Sequence, residues 1–219
     1  MTPTPDLDDD QHLERTIEAL ASEFAGSHTR EAVAALVHDS AQRLPDAHDP
    51  AAVVLLTHRF ARDRLRLAEK AAGGRGHAIP EVLFVCVRNA GRSQMAEALL
   101  RDLAGGRVHA SSAGSAPGTA VHDNVAQVMR EVGIDLAQAY PKPLTQEAVE
   151  AADVVVTMGC GDACPVVPAT RYLDWELDDP HGAGLDATRA TRDEIRRRVQ
   201  AIIDDLTSGS AAAGADGPR

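Results

Sequence analysis

An unbroken apolar run, Val82-Leu83-Phe84-Val85, ends at Cys86 and leads at once into Val87-Arg88-Asn89-Ala90-Gly91-Arg92-Ser93. Apolar residues without alternation predict a strand covered on both faces, as in a parallel sheet. Met95, Leu99 and Leu103 then recur at helical spacing, which predicts a helix over 93–104. A strand, a tight loop and a helix in that order constrain the fold more than any other part of the chain.

The loop has the form C-x5-R-S, and its chemistry suits a tetrahedral oxyanion. A turn this tight can aim its backbone N–H groups inward as an anion nest. The helix that follows adds the partial positive charge of its first turn. Arg92 offers a planar fork to two oxygens. Cys86 would sit at the floor, where the same groups favour its nucleophilic thiolate, and Ser93 can donate to that sulfur. Asn89 tolerates a left-handed backbone, and Gly91 allows close approach. Val87 to Ser93 is therefore the expected substrate-binding stretch. Arg88 either helps draw the anion in or points to solvent. Bare C-x5-R spacing also arises by chance, with a buried strand cysteine and a surface arginine. Its place between strand and helix argues for the oxyanion loop.

Residues 11–72 predict three helices. Leu13, Ile17, Leu20 and Phe24 share one face, and Val33, Leu36, Val37 and Leu44 another. A third helix opens at Asp49-Pro50, with Asp49 as its cap and proline at the first helical position, where a missing N–H costs nothing. Gly73-Gly74-Arg75-Gly76 marks a linker. Beyond residue 80, strands at 108–111, 153–158 and 171–174 alternate with helices at 121–132, 145–151 and 191–206. That order predicts a parallel sheet with helices on both faces. The expected organisation is a three-helix domain over 11–74 and an α/β domain over 80–206, the second able to fold without the first. Residues 1–10 and 207–219 have no apolar period to bury and read as disordered.

The net charge is −11. Such a surface repels a phosphate backbone, so no nucleic-acid partner is expected. The third helix does carry Arg59, Arg62, Arg64, Arg66 and Lys70, a weak hint of a basic recognition helix. No apolar stretch is long enough to cross a bilayer, and the acidic start, with its prolines, is not an export signal. No membrane association and a cytoplasmic location are expected. Three cysteines in that setting point to catalytic or metal roles rather than structural bridges. Two of them, Cys160 and Cys164, follow the strand at 153–158. At the carboxyl edge of a doubly wound sheet they can share a crevice with Cys86. No paired histidine or further cysteine lies near them, so a zinc site is not expected.

Val82 to Leu100 resembles the phosphate-binding loop and first helix of the low-molecular-weight tyrosine phosphatase superfamily. Cys86-x2-Asn89-x2-Arg92-Ser93-Gln94-Met95-Ala96-Glu97 is similar to its arsenate reductase branch. The resemblance covers about residues 80–206 and implies a phosphotyrosine phosphatase I-like α/β fold. It also implies reduction of arsenate to arsenite, with phosphate or sulfate as competing anions. Cys86 would be the nucleophile, and Asp179, directly before Pro180, the general acid. Asp178 would be a neighbour or a secondary acid. Cys160 and Cys164 match the second and third thiols of a disulfide relay. The reductant implied is thioredoxin, with mycothiol and mycoredoxin as the other choice, and no cofactor is required.

Some members of the superfamily bind potassium through an Asn, a Glu, a Ser and an Asp. Asn89, Glu97 and Ser112 match the first three, and Lys142 stands where the Asp is expected. An ammonium in place of the ion argues against a metal. The N-terminal helices resemble an extension found on actinobacterial-type arsenate reductases, and suggest a stabilising or oligomer-forming module or a docking surface. Two other functions fit parts of the pattern. A tyrosine phosphatase would use Cys86, Arg92 and Asp179 but has no need of Cys160 and Cys164. It would also favour aromatics beside the acid, where this chain has His181-Gly182-Ala183-Gly184. An arsenic-sensing regulator would use the helices to bind DNA.

Overall fold

The structure, a computed structural model, describes residues 9–44, 50–73, 79–159 and 170–213. Three helices open the chain: α1 (Asp9–Glu23), α2 (Arg30–Arg43) and α3 (Pro50–Ala72). Then follow β1 (Glu81–Cys86), α4 (Arg92–Ala104), β2 (His109–Gly114), α5 (Asp123–Arg130) and α6 (Gln146–Ala151). Next come β3 (Val154–Met158), β4 (Arg171–Asp174) and α7 (Leu185–Ala213). The strands form one sheet in the order β2-β1-β3-β4, with every pairing parallel. Cys86, the last residue of the central β1, lies in register with Gly114 of β2 and Met158 of β3. The carboxyl ends of three strands thus meet at the thiol.

Alternation along the strands divides the core into two layers. Val82, Phe84, Val154, Val156 and Met158 pack against α4, α5 and α7, through Leu99, Val128, Ile195 and Ile203 among others. Leu83, Val85 and Val155 face the other way, onto Ala148 and Val149 of α6 and Leu67 of α3. Trp175 belongs to the first layer, where its ring lies 5.9 Å from that of Phe84.

Packing crosses the glycine-rich break at residue 73. Arg66 of α3 pairs with Glu81, whose side chain is fully buried at the start of β1. Lys70 reaches Asp153, and Arg64, itself buried, bridges Asp39 of α2 and Glu147 of α6. A second apolar cluster joins Ile17, Leu20, Val33, Val37, Ala61 and Leu65 within the three helices. So α3 works on two sides, closing the helical unit and roofing the sheet.

Two boundaries differ from the sequence reading. Residues 207–213, expected in a disordered tail, continue α7. The first of them still helps the helix, as the Thr207 hydroxyl donates to the carbonyl of Ile203, and alanine, which recurs after it, has the highest helix propensity. The same helix starts at Leu185, earlier than the expected Thr191, because its first residues close against α5 rather than showing a helical apolar stripe. Asp49, expected as a cap, lies outside the described residues. Among the described residues no helix is long and apolar enough to cross a membrane.

Candidate active site

The loop between β1 and α4 is held open by the segment that follows β2. The N–H groups of Ser115, Ala116, Gly118 and His122 donate to the carbonyls of Cys86, Val87, Arg88 and Ala90, at 2.8–3.2 Å. Within a trans peptide the C=O and the next N–H point in opposite directions. Tying these carbonyls outward therefore turns the N–H groups of Val87, Arg88, Asn89 and Gly91 toward the inside of the loop. Of these, the Asn89 N–H reaches Cys86 Sγ at 3.2 Å. Asn89 takes the positive φ, 47°, that its short amide tolerates. Gly91 has no room for a side chain, since a Cβ there would meet Pro180 Cγ at 2.8 Å.

Cys86 is buried, and its sulfur lies 3.0 Å from Ser93 Oγ in the first turn of α4. Behind the thiol is a layer of polar groups. Asn89 Nδ2 donates to Ser93 Oγ (2.8 Å) and to Ser112 Oγ (2.9 Å). Asn89 Oδ1 accepts from Gln94 Nε2 (3.0 Å) and from the Lys142 backbone N–H (2.7 Å). Gln94 also donates to the carbonyl of Tyr140. The Ser112 hydroxyl donates in turn to the buried carboxylate of Glu97.

Glu97 shows how this layer treats charge. Burial pushes its carboxyl up, but the Lys142 ammonium, then Arg101 and the Ser112 hydroxyl outweigh burial and hold it below the usual carboxylate range. Lys142 Nζ lies 3.3 Å from Glu97 Oε2 and 5.1 Å from the centre of the Tyr140 ring. A fixed ammonium already faces the carboxylate that a potassium ion would need, so these residues do not fit that ion. Asp63 of α3 lines the adjoining cleft, and its own burial pushes its carboxyl up.

Across the mouth, Arg92 Nη2 donates to Asp179 Oδ2 at 3.1 Å, and Arg92 Nη1 to the carbonyl of Leu177 at 3.2 Å. The guanidinium is largely buried, whereas the Asp179 carboxylate is exposed. Asp178 lines a cavity with Arg92, Trp175 and Gly159, one residue before Asp179. Arg88 is exposed, with Nη1 3.5 Å from His181 Nε2 beside the mouth.

The structure therefore brings Cys86, Arg92, Ser93 and Asp179 together around the loop 87–93. Cys160 and Cys164 lie outside the described residues. The last described residue before them, Gly159, sits against the site, since a Cβ there would lie 3.3 Å from Arg92 Nη1. Sequence reasoning assigned no role to Gln94, Tyr140 or Asn124. Gln94 stands within the motif, but only its partners, Asn89 and the Tyr140 carbonyl 46 residues away, reveal its use.

Residues 81–211 match the family of low molecular weight phosphotyrosine protein phosphatases. The glutaredoxin arsenate reductase of Synechocystis sp. is 36% identical over 130 residues, 58% of this chain and 98% of that protein. An arsenate reductase of Halalkalibacterium halodurans is 36% identical over 134 residues, 56% of this chain and 94% of that protein. The solved structure of a thioredoxin-dependent arsenate reductase from Corynebacterium glutamicum superposes with a TM-score of 0.82 at 36% identity. That match covers 93% of this chain and all of the other, so the likeness takes in N-terminal helices as well as the sheet.

Proposed function

The chain belongs to the low molecular weight phosphotyrosine protein phosphatase family, and from that premise we propose that it is an arsenate reductase working through Cys86. The observation that carries the reading is the outward-tied loop over Cys86, with Arg92 and Asp179 in contact at its mouth. It is supported by relatives named as arsenate reductases at 36% identity over nearly their whole length.

The inward N–H groups and Arg92 bind arsenate as they would any tetrahedral oxyanion, which makes phosphate and sulfate competitors. The Cys86 thiolate attacks arsenic. Asp179 protonates the departing hydroxide, which leaves as water. The product is an S–As(V) adduct. The Cys160 thiolate then attacks the Cys86 sulfur. An S–S bond forms, the S–As bond breaks, and its electron pair reduces arsenic to arsenite. Cys164 next attacks Cys160, which frees Cys86 and leaves a Cys160–Cys164 disulfide. A thioredoxin-type reductant restores the dithiol, in keeping with the named activity of the Corynebacterium glutamicum relative.

A phosphatase would share the first step and send water to the adduct instead. After Pro180 the chain has His181-Gly182-Ala183-Gly184, without the Phe, Tyr or Trp that would grip a phenyl ring, and the two further thiols would have no use. Single-turnover arrest tests the relay. Cys164→Ser should release one arsenite per chain and stop as a Cys86–Cys160 disulfide. Cys160→Ser should release little and hold the arsenic adduct. Arsenite from Cys160→Ser but not from Cys164→Ser would reverse the order. Full multiple turnover of the double variant with mycothiol would replace the internal relay by an external thiol.

A further inference from the structure

Asp179 sits on a loop, and the arrangement of α5 explains how a loop carboxylate keeps its place. Asn124, in the first turn of α5, points its Nδ2 at three oxygens. These are the carbonyl of Pro180 at 2.8 Å, the carbonyl of Ala183 at 3.2 Å and the Thr188 hydroxyl of α7 at 2.9 Å. The two carbonyls can only accept, so the amide must present its nitrogen to them. Pro180 and Ala183 are the ends of the turn that follows the acid. The Ala183 N–H donates back to the Pro180 carbonyl at 3.1 Å, and Gly182 supplies the positive φ, 71°, at the third position. One side chain thus holds both ends of the turn and ties them to the start of α7.

Three further contacts bear on the same segment. The His181 N–H donates to Asp179 Oδ1 at 3.0 Å, which fixes the carboxylate to the turn. The His122 ring, just before α5, lies 4.7 Å from the His181 ring. Burial and then the neighbouring His181 push the His122 imidazole below its ordinary value, and the two rings meet at a tilt of 37°. On the other side Pro180 fills the space that Gly91 leaves empty.

We propose that Asn124 is a positioning residue for the proton-transfer step, a latch between α5 and the turn 180–183 that holds Asp179 over the oxyanion loop. The proposal rests on the reading of Asp179 as the general acid. Asn124 touches neither the anion nor the sulfur. Its effect passes through the turn to the Asp179 carboxylate. A displacement of about 1 Å at such a group is enough to cost on the order of a hundredfold in rate.

The test is a double-mutant cycle in the full chain, read as kcat/KM for arsenate with thioredoxin, its reductase and NADPH. Asn124→Asp keeps the size of the side chain and removes both donors. It also sets a carboxylate against the Pro180 and Ala183 carbonyls, though in the first turn of a helix, a position that suits its charge. Asn124→Ala repeats the test without the added charge. Each should lower kcat/KM about 10- to 100-fold, while phosphate still protects Cys86 from alkylation at an unchanged half-saturating concentration. In an Asp179→Asn background the same change should cost nothing further. Equal losses in both backgrounds would make Asn124 merely structural and overturn the proposal, as would an unchanged kcat/KM in the single variants. Those outcomes leave the acid assignment standing. An Asp179→Asn protein as active as the unaltered one removes the acid assignment itself, and the latch with it.

Discussion

Asn89 uses its whole side chain in the site. The amide has two donor hydrogens and one oxygen with two lone pairs, and Ser93, Ser112, Gln94 and Lys142 take up all four. Its backbone N–H serves the sulfur. A loop residue so fully committed fixes the thiol from behind, and in the mechanism proposed above Arg92 meets the anion from the front. Arg92→Lys keeps the charge and loses the fork, so we expect kcat/KM for arsenate to fall at least about a hundredfold, as when one oxyanion donor is removed. Near-normal kcat/KM would remove the two-point role. Lys142→Met tests the other side of the layer. It leaves the Glu97 carboxylate buried with Arg101 as its remaining cation, and should cost about 3 kcal/mol in denaturant unfolding at neutral pH, the low end for breaking a buried pair. The sign follows from Glu97, whose folded value lies below the usual one. That stabilisation is present above about pH 4.3 and fades as pH falls through the lower folded value. The penalty of Lys142→Met should therefore shrink in acid. A penalty independent of pH between 3 and 7 would mean that Glu97 does not rely on this ammonium.

At the scale of elements, α3 is the piece that the sequence describes least well. The proline at its start was legible, and so was its end near Ala72. Its second partner was not. Leu67 reads as one more apolar position of a three-helix unit, yet it packs on Leu83, Val85 and Val155 of the sheet. Arg66 and Lys70, which suggested a basic surface, are committed to Glu81 and Asp153. Contacts between segments far apart in sequence leave no periodic trace, whereas β1 and the oxyanion loop are contiguous and could be read directly. The same limit hid Asn124, which lies 55 residues before Asp179 and meets its turn only in space. Joined through α3, the helices and the sheet should unfold together. Leu67→Ala should cost about 2–4 kcal/mol and shift a single transition seen both by far-UV signal and by Trp175 fluorescence. Two separated transitions, with the Trp175 one unmoved, would show that residues 80–206 stand alone, and would return the N-terminal helices to the status of a separable domain.

For the whole molecule the central tension is electrostatic. A chain of net charge −11 must collect an arsenate dianion, and it does so at one small opening. We propose that a helix start, inward N–H groups and Arg92 draw the anion in there against the field of the rest. In the relay proposed above, three thiols divide the chemistry. Cys86 binds arsenic, Cys160 takes its place on the Cys86 sulfur as arsenic is reduced, and Cys164 passes the oxidation to a reductant. The most direct test is arsenate-dependent NADPH oxidation by the full chain with thioredoxin and thioredoxin reductase. The account predicts steady consumption that matches arsenite formed one for one, abolished in Cys86→Ser and slowed by phosphate. No consumption with arsenate, together with release of phosphate from an aryl phosphate at a rate that Cys160→Ser and Cys164→Ser leave unchanged, would contradict it.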